Sequence, residues 1–410
     1  MQVASPLMSV FSRYGEVLRP PGTATALTAS VVGRLSLGMT GLALLILVRD
    51  ATGSYSGAGA VSAAYAVSFA VGAPSRARGA DRKGPVGVLR WCGVLHPLAL
   101  GLLVALAEVG APVLALAGTG VLVGLTVPPL GAVMRALWGE VVDGDQLSSA
   151  YSLESVVVEA CFVLGPLLVA GLATALDPAA GVLASGLVAS VGALWLAANP
   201  LLAKVAPHPE RTSGLAGPLV SPVVRACLLN VLWIGVGFGT IEVATLAFVD
   251  EHGSAKATAG VVLAVWSVGS ILGGLVYGGL HLRSTAARQL PVLVAAVSIG
   301  AVLPVLAPGV LALALLLALS GLAIAPFSAC NSVLLGSAAP PGTVTEAFAW
   351  NGSMIFGGAA AGTAVAGVLV DAAGARAAFA ATAVSGLLTF GSSLLGLRAL
   401  RHHRVADALA

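Results

Sequence analysis

Between Gln289 and Thr345 the chain carries no Asp, Glu, Lys or Arg for 57 residues. A membrane-crossing helix takes about 20 apolar residues, and one helix of this length would be about 85 Å long against a hydrocarbon core of about 30 Å. The run has to double back, and Pro308-Gly309 marks the place. The rest of the chain follows suit: 58% of residues are hydrophobic, 9% are charged and the mean hydropathy is +1.00. Soluble domains use about 25% charged residues, so this composition describes an all-α protein surrounded by lipid.

Uncharged runs measure the spans. Ala51 to Ser75, Trp91 to Ala107, Val109 to Met134, Ala160 to Leu176, Pro178 to Ala203, Ala257 to Leu282, Ala347 to Val370 and Ala377 to Leu397 supply one each, and the long run supplies two. Two further spans hold a single interior charge: Ala24 to Val48 with Arg34, and Val224 to Val249 with Glu242. The total is twelve. The longest hydrophilic connection, Lys204 to Pro222, leaves no room for a soluble domain. The chain therefore divides into an N-terminal segment (1–23), six spans (24–203), a linker (204–222), six spans (223–399) and a tail (400–410). The N-terminal segment lacks the apolar core of a signal peptide and reads as an interfacial helix ending at Pro20-Pro21. With both termini cytoplasmic, sixteen Lys and Arg residues fall on inner segments and three (Arg49, Lys256, Arg376) on outer loops, with Arg34 inside the membrane. The pI of about 8.8 is then a topology signal, and a net charge of +3 gives no footing for a nucleic-acid partner.

Six spans on either side of the linker invite a search for a repeat. A shift of 197 residues lays Gly124 to Val133 on Gly321 to Cys330, Glu154 on Asn351 and Gly165 on Gly362. Because six is even, the halves have the same orientation, a parallel repeat about an axis along the membrane normal. Between spans 2 and 3, Ala77-Arg78-Gly79-Ala80-Asp81-Arg82-Lys83-Gly84-Pro85 matches Asp81, Arg82 and Gly84 to the G-x-x-x-D-R-x-G-R-R signature. With these features the whole chain resembles the major facilitator superfamily, and its PPLGAVMRALW and TEAFAW segments resemble actinobacterial drug-efflux-type members. The resemblance implies two six-helix bundles that rock around a central cavity, with spans 1, 4, 7 and 10 lining it and spans 2, 5, 8 and 11 at the interface. Small residues at four-residue spacing, Gly269 with Gly273, Gly274 with Gly278 and Gly358 with Gly362, are assigned to that interface. Asp81 is implied to be a cytoplasmic gate residue, paired with Arg135 or facing the positive end of span 11. Its neighbours Arg76 and Arg78 read as positive-inside anchors. Gly165-Pro166 resembles the glycine-proline helix distortion of antiporters.

Charges at bilayer depth are expensive and face cavities, pair or carry protons. Arg34 lies roughly 15 Å along span 1, and Glu154 and Glu159 roughly 12 and 20 Å along span 5, so Arg34 is expected to pair with one or both. Glu242 lies deeper, where no basic residue matches it. It reads as a proton or cationic-substrate site, the alternative being that it reaches the outer interface.

A sugar site needs many amide and hydroxyl groups, yet all three glutamines (Gln2, Gln146, Gln289) lie outside span interiors. Asn230, Trp233, Phe238 and Asn331 are candidates to line a mostly apolar cavity suited to amphipathic compounds. No GxxxxGK[ST] loop is present, so no ATPase subunit or cofactor is expected and pumping would draw on an ion gradient. Four dispersed cysteines and a histidine set without HExxH give no metal site, and His96 reads as a satisfied packing residue. The sequence therefore points to a monomeric plasma-membrane transporter exporting a small amphipathic molecule in exchange for protons. Uptake of an organic solute, or a non-transporting scaffold or intramembrane enzyme, are the rivals.

Overall fold

A computed structural model describes residues 13–53, 55–144, 146–205, 214–254, 257–280 and 284–407. Among these residues twelve helices are long and apolar enough to cross a membrane: α1 (Thr23–Thr52), α2 (Gly57–Lys83), α3 (Pro85–Glu108), α4 (Val113–Val141), α5 (Leu147–Ala175), α6 (Pro178–Ala197), α7 (Pro222–Glu251), α8 (Thr258–Gly279), α9 (Ala286–Leu306), α10 (Val310–Ala338), α11 (Val344–Ala373) and α12 (Ala375–Leu394). The chain is a multi-pass membrane protein. Proline opens α3, α6 and α7, where its missing N–H loses no bond. Asp177 and Ser221 cap α6 and α7 by accepting from Ala180 N (2.8 Å) and Val224 N (3.4 Å). Gly84, at φ 86°, turns α2 into α3.

Proline also places the breaks. In α4 the helix stops after Thr126 and resumes at Leu130, because Pro128 and Pro129 cannot donate to the carbonyls of Gly124 and Leu125. Arg76 on α2 fills one vacancy, its Nη1 donating to Leu125 O at 2.8 Å. Arg76 is thus a buried internal donor rather than a positive-inside anchor. The long uncharged run does reverse at Pro308-Gly309: α9 tightens into a 3₁₀ turn at Leu303–Leu306, and α10 starts at Val310.

The two halves repeat the same packing. α1 lies against α5 and α6, α2 against α4, and α3 against α6; α7 lies against α11 and α12, α8 against α10, and α9 against α12. Glycines set the distances within each half. A Cβ at Gly165 would strike the Gly38 backbone on α1, and one at Gly362 would strike Val236 on α7. Gly269 and Gly273 face Ala318 and Leu322 of α10, and Gly358 faces Leu232 of α7. These glycines therefore bring helices together inside a bundle, not between bundles. Of the six glycines assigned to the interface, Gly274 and Gly278 reach the other half, at Val156 and Ser152 of α5, although Gly274 lies closer still to Ala325 of α10 in its own half. The Gly165-Pro166 pair does not break α5, which runs unbroken through it.

Residues 13–18 form a helical turn with Arg13, Tyr14 and Val17 buried in protein. It is seated by backbone carbonyls in the last turns of α8 and just beyond its end. Tyr14 OH donates to Gly274 O (3.2 Å) and Leu275 O (3.0 Å), and Arg13 Nη1 donates to Leu280 O at 3.0 Å. Residues 1–12 lie outside the described residues. The final helix continues through the expected tail to Asp407.

Candidate functional site

The end of the molecule that carries Arg78, Arg82, Lys83 and Arg90 is termed the basic end, and the opposite one the far end. At the basic end the two bundles are joined. Asp81, in the last turn of α2, accepts from Thr345 N (3.0 Å) and Glu346 N (2.8 Å) at the start of α11. A carboxylate there satisfies two of the four orphan donors of the helix and sits at its positive pole. Asp81 is therefore not paired with Arg135. Arg78, expected to be a mere anchor, donates through Nη2 to the buried Glu346 at 2.6 Å. Arg82 is exposed beside them, on the turn before Gly84. Ser353 Oγ donates to Ala70 O at 2.6 Å, and the rings of Phe69 and Phe356 meet edge to face at 5.4 Å. The equivalent seam between α5 and α8 is closed by Ser149 Oγ donating to Gly278 O at 2.5 Å. Sequence reasoning missed Arg78, Glu346, Ser149 and Ser353. Glu346 was visible as the one acid in the TEAFAW segment, but serines in a membrane helix carry no signal of which neighbour they meet.

Among the described residues, every hydrogen bond and ring contact between the halves lies near the basic end or at mid-depth. None lies farther out than the Phe162–Phe356 pair at 6.2 Å. Toward the far end, residues of α5, α8 and α11 such as Leu167, Val261 and Val365 are exposed. The apolar core divides the same way: one buried cluster joins the halves toward the basic end, and two others lie wholly within one half each, so the halves are joined at one end and part toward the other.

The intramembrane charges divide into three environments. Arg34 Nη1 is ion-paired with Glu154 Oε2, both side chains being almost fully buried, and Trp138 Nε1 donates to the other carboxylate oxygen at 3.2 Å. Glu159 does not join them. It accepts from Ser270 Oγ of α8 at 3.0 Å, across the interface between bundles. Glu242 is exposed and makes no hydrogen bond or ion pair with any described residue. It follows Phe238, whose ring meets Trp266 of α8 at 5.1 Å, by one turn, and lies beside the face of Gly239, which touches Ala359 of α11. This face of α7 therefore lies beside α8 and α11, the helices that also pack on α5 and α2 of the first half.

The cavity candidates fare differently. Trp233, nine residues before Glu242, falls on the opposite face of α7 at about 100° per residue. Asn230 is buried inside its own bundle, accepting from Ser392 Oγ of α12 at 2.7 Å. Phe238 and Trp266 line a small internal cavity of about 30 Å³ with Ser320, Thr382, Ser385 and Thr389, room for about one water rather than a substrate. Asn331 is buried and donates to Asn351 Oδ1 at 3.2 Å, at the position the repeat gives to Glu154 in the first half. All four cysteines are free and buried. His96 is only half satisfied: Nδ1 lies 3.3 Å from Thr126 Oγ1, while Nε2 has no partner. No cluster of metal ligands occurs among the described residues.

Two pseudo-symmetric six-helix bundles, latched at one end and parted at the other, define a class of membrane protein. Residues 227–408, most of the second bundle, match the sequence profile of the Major Facilitator Superfamily. No curated protein sequence matches the chain. Solved structures are similar over nearly all of it. The human organic anion transporter MFSD10 (TETRAN) has a TM-score of 0.73 at 17% identity, covering 91% of this chain and 100% of that one. A bacterial homologue of the iron transporter ferroportin in an outward-facing state has 0.69 at 16% identity, covering 91% and 99%. The E. coli fucose:proton symporter FucP has 0.69 at 13% identity, covering 91% and 98%. The fold is that of Major Facilitator Superfamily transporters.

Proposed function

We propose that the chain belongs to this superfamily and is a secondary active transporter that exports small amphipathic compounds from the cell in exchange for protons. The observation that carries this reading is the asymmetry of one symmetric molecule. Two equivalent seams, α2 with α11 and α5 with α8, are both closed near the basic end and both open at the far end. With the basic end taken as cytoplasmic, which the Lys and Arg distribution supports, this is the outward-open member of a pair of states related by rocking, with a cleft between the halves. Polar contacts at the basic end are few and local, so they can be exchanged for an equivalent set on the other side. Glu242 supports proton coupling, being an acid on the face of α7 beside α8 and α11, without a described counter-ion. Its place on α7 corresponds by the 197-residue shift to Leu45, so the acid is a feature of one half alone.

Cells expressing the chain, cells expressing Glu242→Gln and vector controls should be challenged with a panel of amphipathic growth inhibitors. Expression of the unaltered chain is expected to raise tolerance to at least one compound, and Glu242→Gln to abolish that gain. Tolerance identical to the vector control across the panel overturns export, and a Glu242→Gln variant with full activity removes the acid from coupling.

A further inference from the structure

The charges at the floor of the cleft do not balance. Arg34 is paired with Glu154, and Gly131, one turn before Arg135, leaves its Cβ position only 3.6 Å from Arg34 Nε, which sets Arg135 close to the pair. Each Glu154 oxygen already has a partner, Arg34 on one and Trp138 on the other, and Arg135 hydrogen-bonds to neither. The Arg135 side chain makes no hydrogen bond or ion pair with any described residue, and its Nε is shut from solvent without a partner. Two guanidinium groups against one carboxylate leave one positive charge.

Helix geometry says where that charge points. On α4, Gly131 faces Arg34 of α1, Trp138 faces Glu154 of α5, and Ala132 packs with Ala73 and Ala349 of α2 and α11. Arg135 falls between these directions, toward the midline between the halves. The Tyr151–Phe348 ring pair, 5.7 Å apart, lies nearer the basic end than Arg135 by the rise of two residues, about 3 Å. At this depth the second half returns no negative charge, since Glu242 lies about 20 residues along α7 from the basic end. The repeat places Asn351 and Val231 opposite Glu154 and Arg34, and the acids close by are engaged: Glu346 by Arg78, Asp81 by the α11 amides, Glu159 by Ser270.

We propose that Arg135 is an anion-binding residue at the floor of the cleft and that the transported compound carries a carboxylate. The inference deepens the transport reading and rests on it. A guanidinium presents a planar fork that matches a carboxylate with two parallel bonds. One surplus charge suits a monoanion; a phosphate dianion would overcompensate it and would lose its water to a wall with few other donors. A chloride ion would leave the apolar wall unused, whereas an organic acid with an apolar body fills both needs.

The test uses the purified full chain in lipid nanodiscs with benzoate, benzyltrimethylammonium and chloride, binding being read by calorimetry. Benzoate is expected to bind the unaltered chain, to bind Arg135→Gln about tenfold or more weakly, and to recover part of its affinity in Arg135→Lys. Benzyltrimethylammonium, matched in shape but opposite in charge, is expected to be indifferent to both substitutions. Should Arg135→Gln fail to fold, the comparison of the unaltered chain with Arg135→Lys still decides, since loss of the planar fork must weaken benzoate alone. Equal benzoate binding by all variants, binding of the cation or chloride in its place, or no binding of benzoate overturns the proposal. Such a failure is separable from failure of the transport reading, which would show as loss of rocking in a cross-linking assay.

Discussion

Both oxygens of Glu154 are held within the first half, by Arg34 and by Trp138 Nε1, at a depth where water does not compensate a lost partner. Removing one member of such a pair strands the other, at a cost of about 3–5 kcal/mol, while replacing both with apolar groups removes the problem. Arg34→Met and Glu154→Met are each expected to lower the thermal midpoint of the purified protein strongly, and the double variant to be less damaged than the sum of the two. Strict additivity in tryptophan-fluorescence melts would show that the pair does not act as a unit. That Arg34 needs an acid was legible in the sequence, because a lone arginine at mid-span has few ways to persist. Which of two acids it takes was not, because Glu154 and Glu159 are five residues apart and α5 turns them to different neighbours. Glu154 faces α1 in its own half, and Glu159 faces Ser270 in the other.

At the level of single elements, the break in α4 shows what hydropathy hides. The run from Val109 to Met134 reads as one uniform span, but Pro128 and Pro129 leave carbonyls that a bilayer cannot satisfy. Arg76 reaches from α2 to supply a donor, which ties the shape of α4 to a neighbouring helix. Arg76→Met is expected to destabilise the first half by about 1–3 kcal/mol, the range for a buried acceptor left without its partner. Amides of residues 123–127 should then exchange faster with deuterium, with Arg76→Lys recovering part of the protection; unchanged exchange there would separate Arg76 from the break. Proline and long uncharged runs were readable because their effect is local. The glycine contacts were not, since spacing along one helix identifies a smooth face without naming what packs on it. Gly269-x-x-x-Gly273 and Gly274-x-x-x-Gly278 follow one another on one helix, yet the first pair faces α10 in the same bundle while Gly278 faces α5 in the other and Gly274 meets both.

For the molecule as a whole, the twelve spans and their division into halves were legible because bilayer thickness fixes span length and the repeat survives in the sequence. The latch was legible only at Asp81, whose partners are backbone amides available at any helix start. Rocking requires the basic-end contacts to part in every cycle. A cysteine pair at Ala70 and Ser353, whose residues are already in hydrogen-bond contact, should cross-link readily and bring transport in proteoliposomes to background, with recovery on adding a reductant. Full transport by the cross-linked protein would exclude motion at this seam.

The turn formed by residues 13–18 has an implication for how the protein is made. Tyr14 is linked to the first half but seats on Gly274 and Leu275, 260 and 261 residues later in the chain. During synthesis it reaches the membrane surface long before its acceptors exist, and it cannot dock until α8 has been inserted. The seated tyrosine therefore marks a molecule in which both halves have been synthesised and brought together, and a first half produced by itself would leave Tyr14 accessible to chemical labelling.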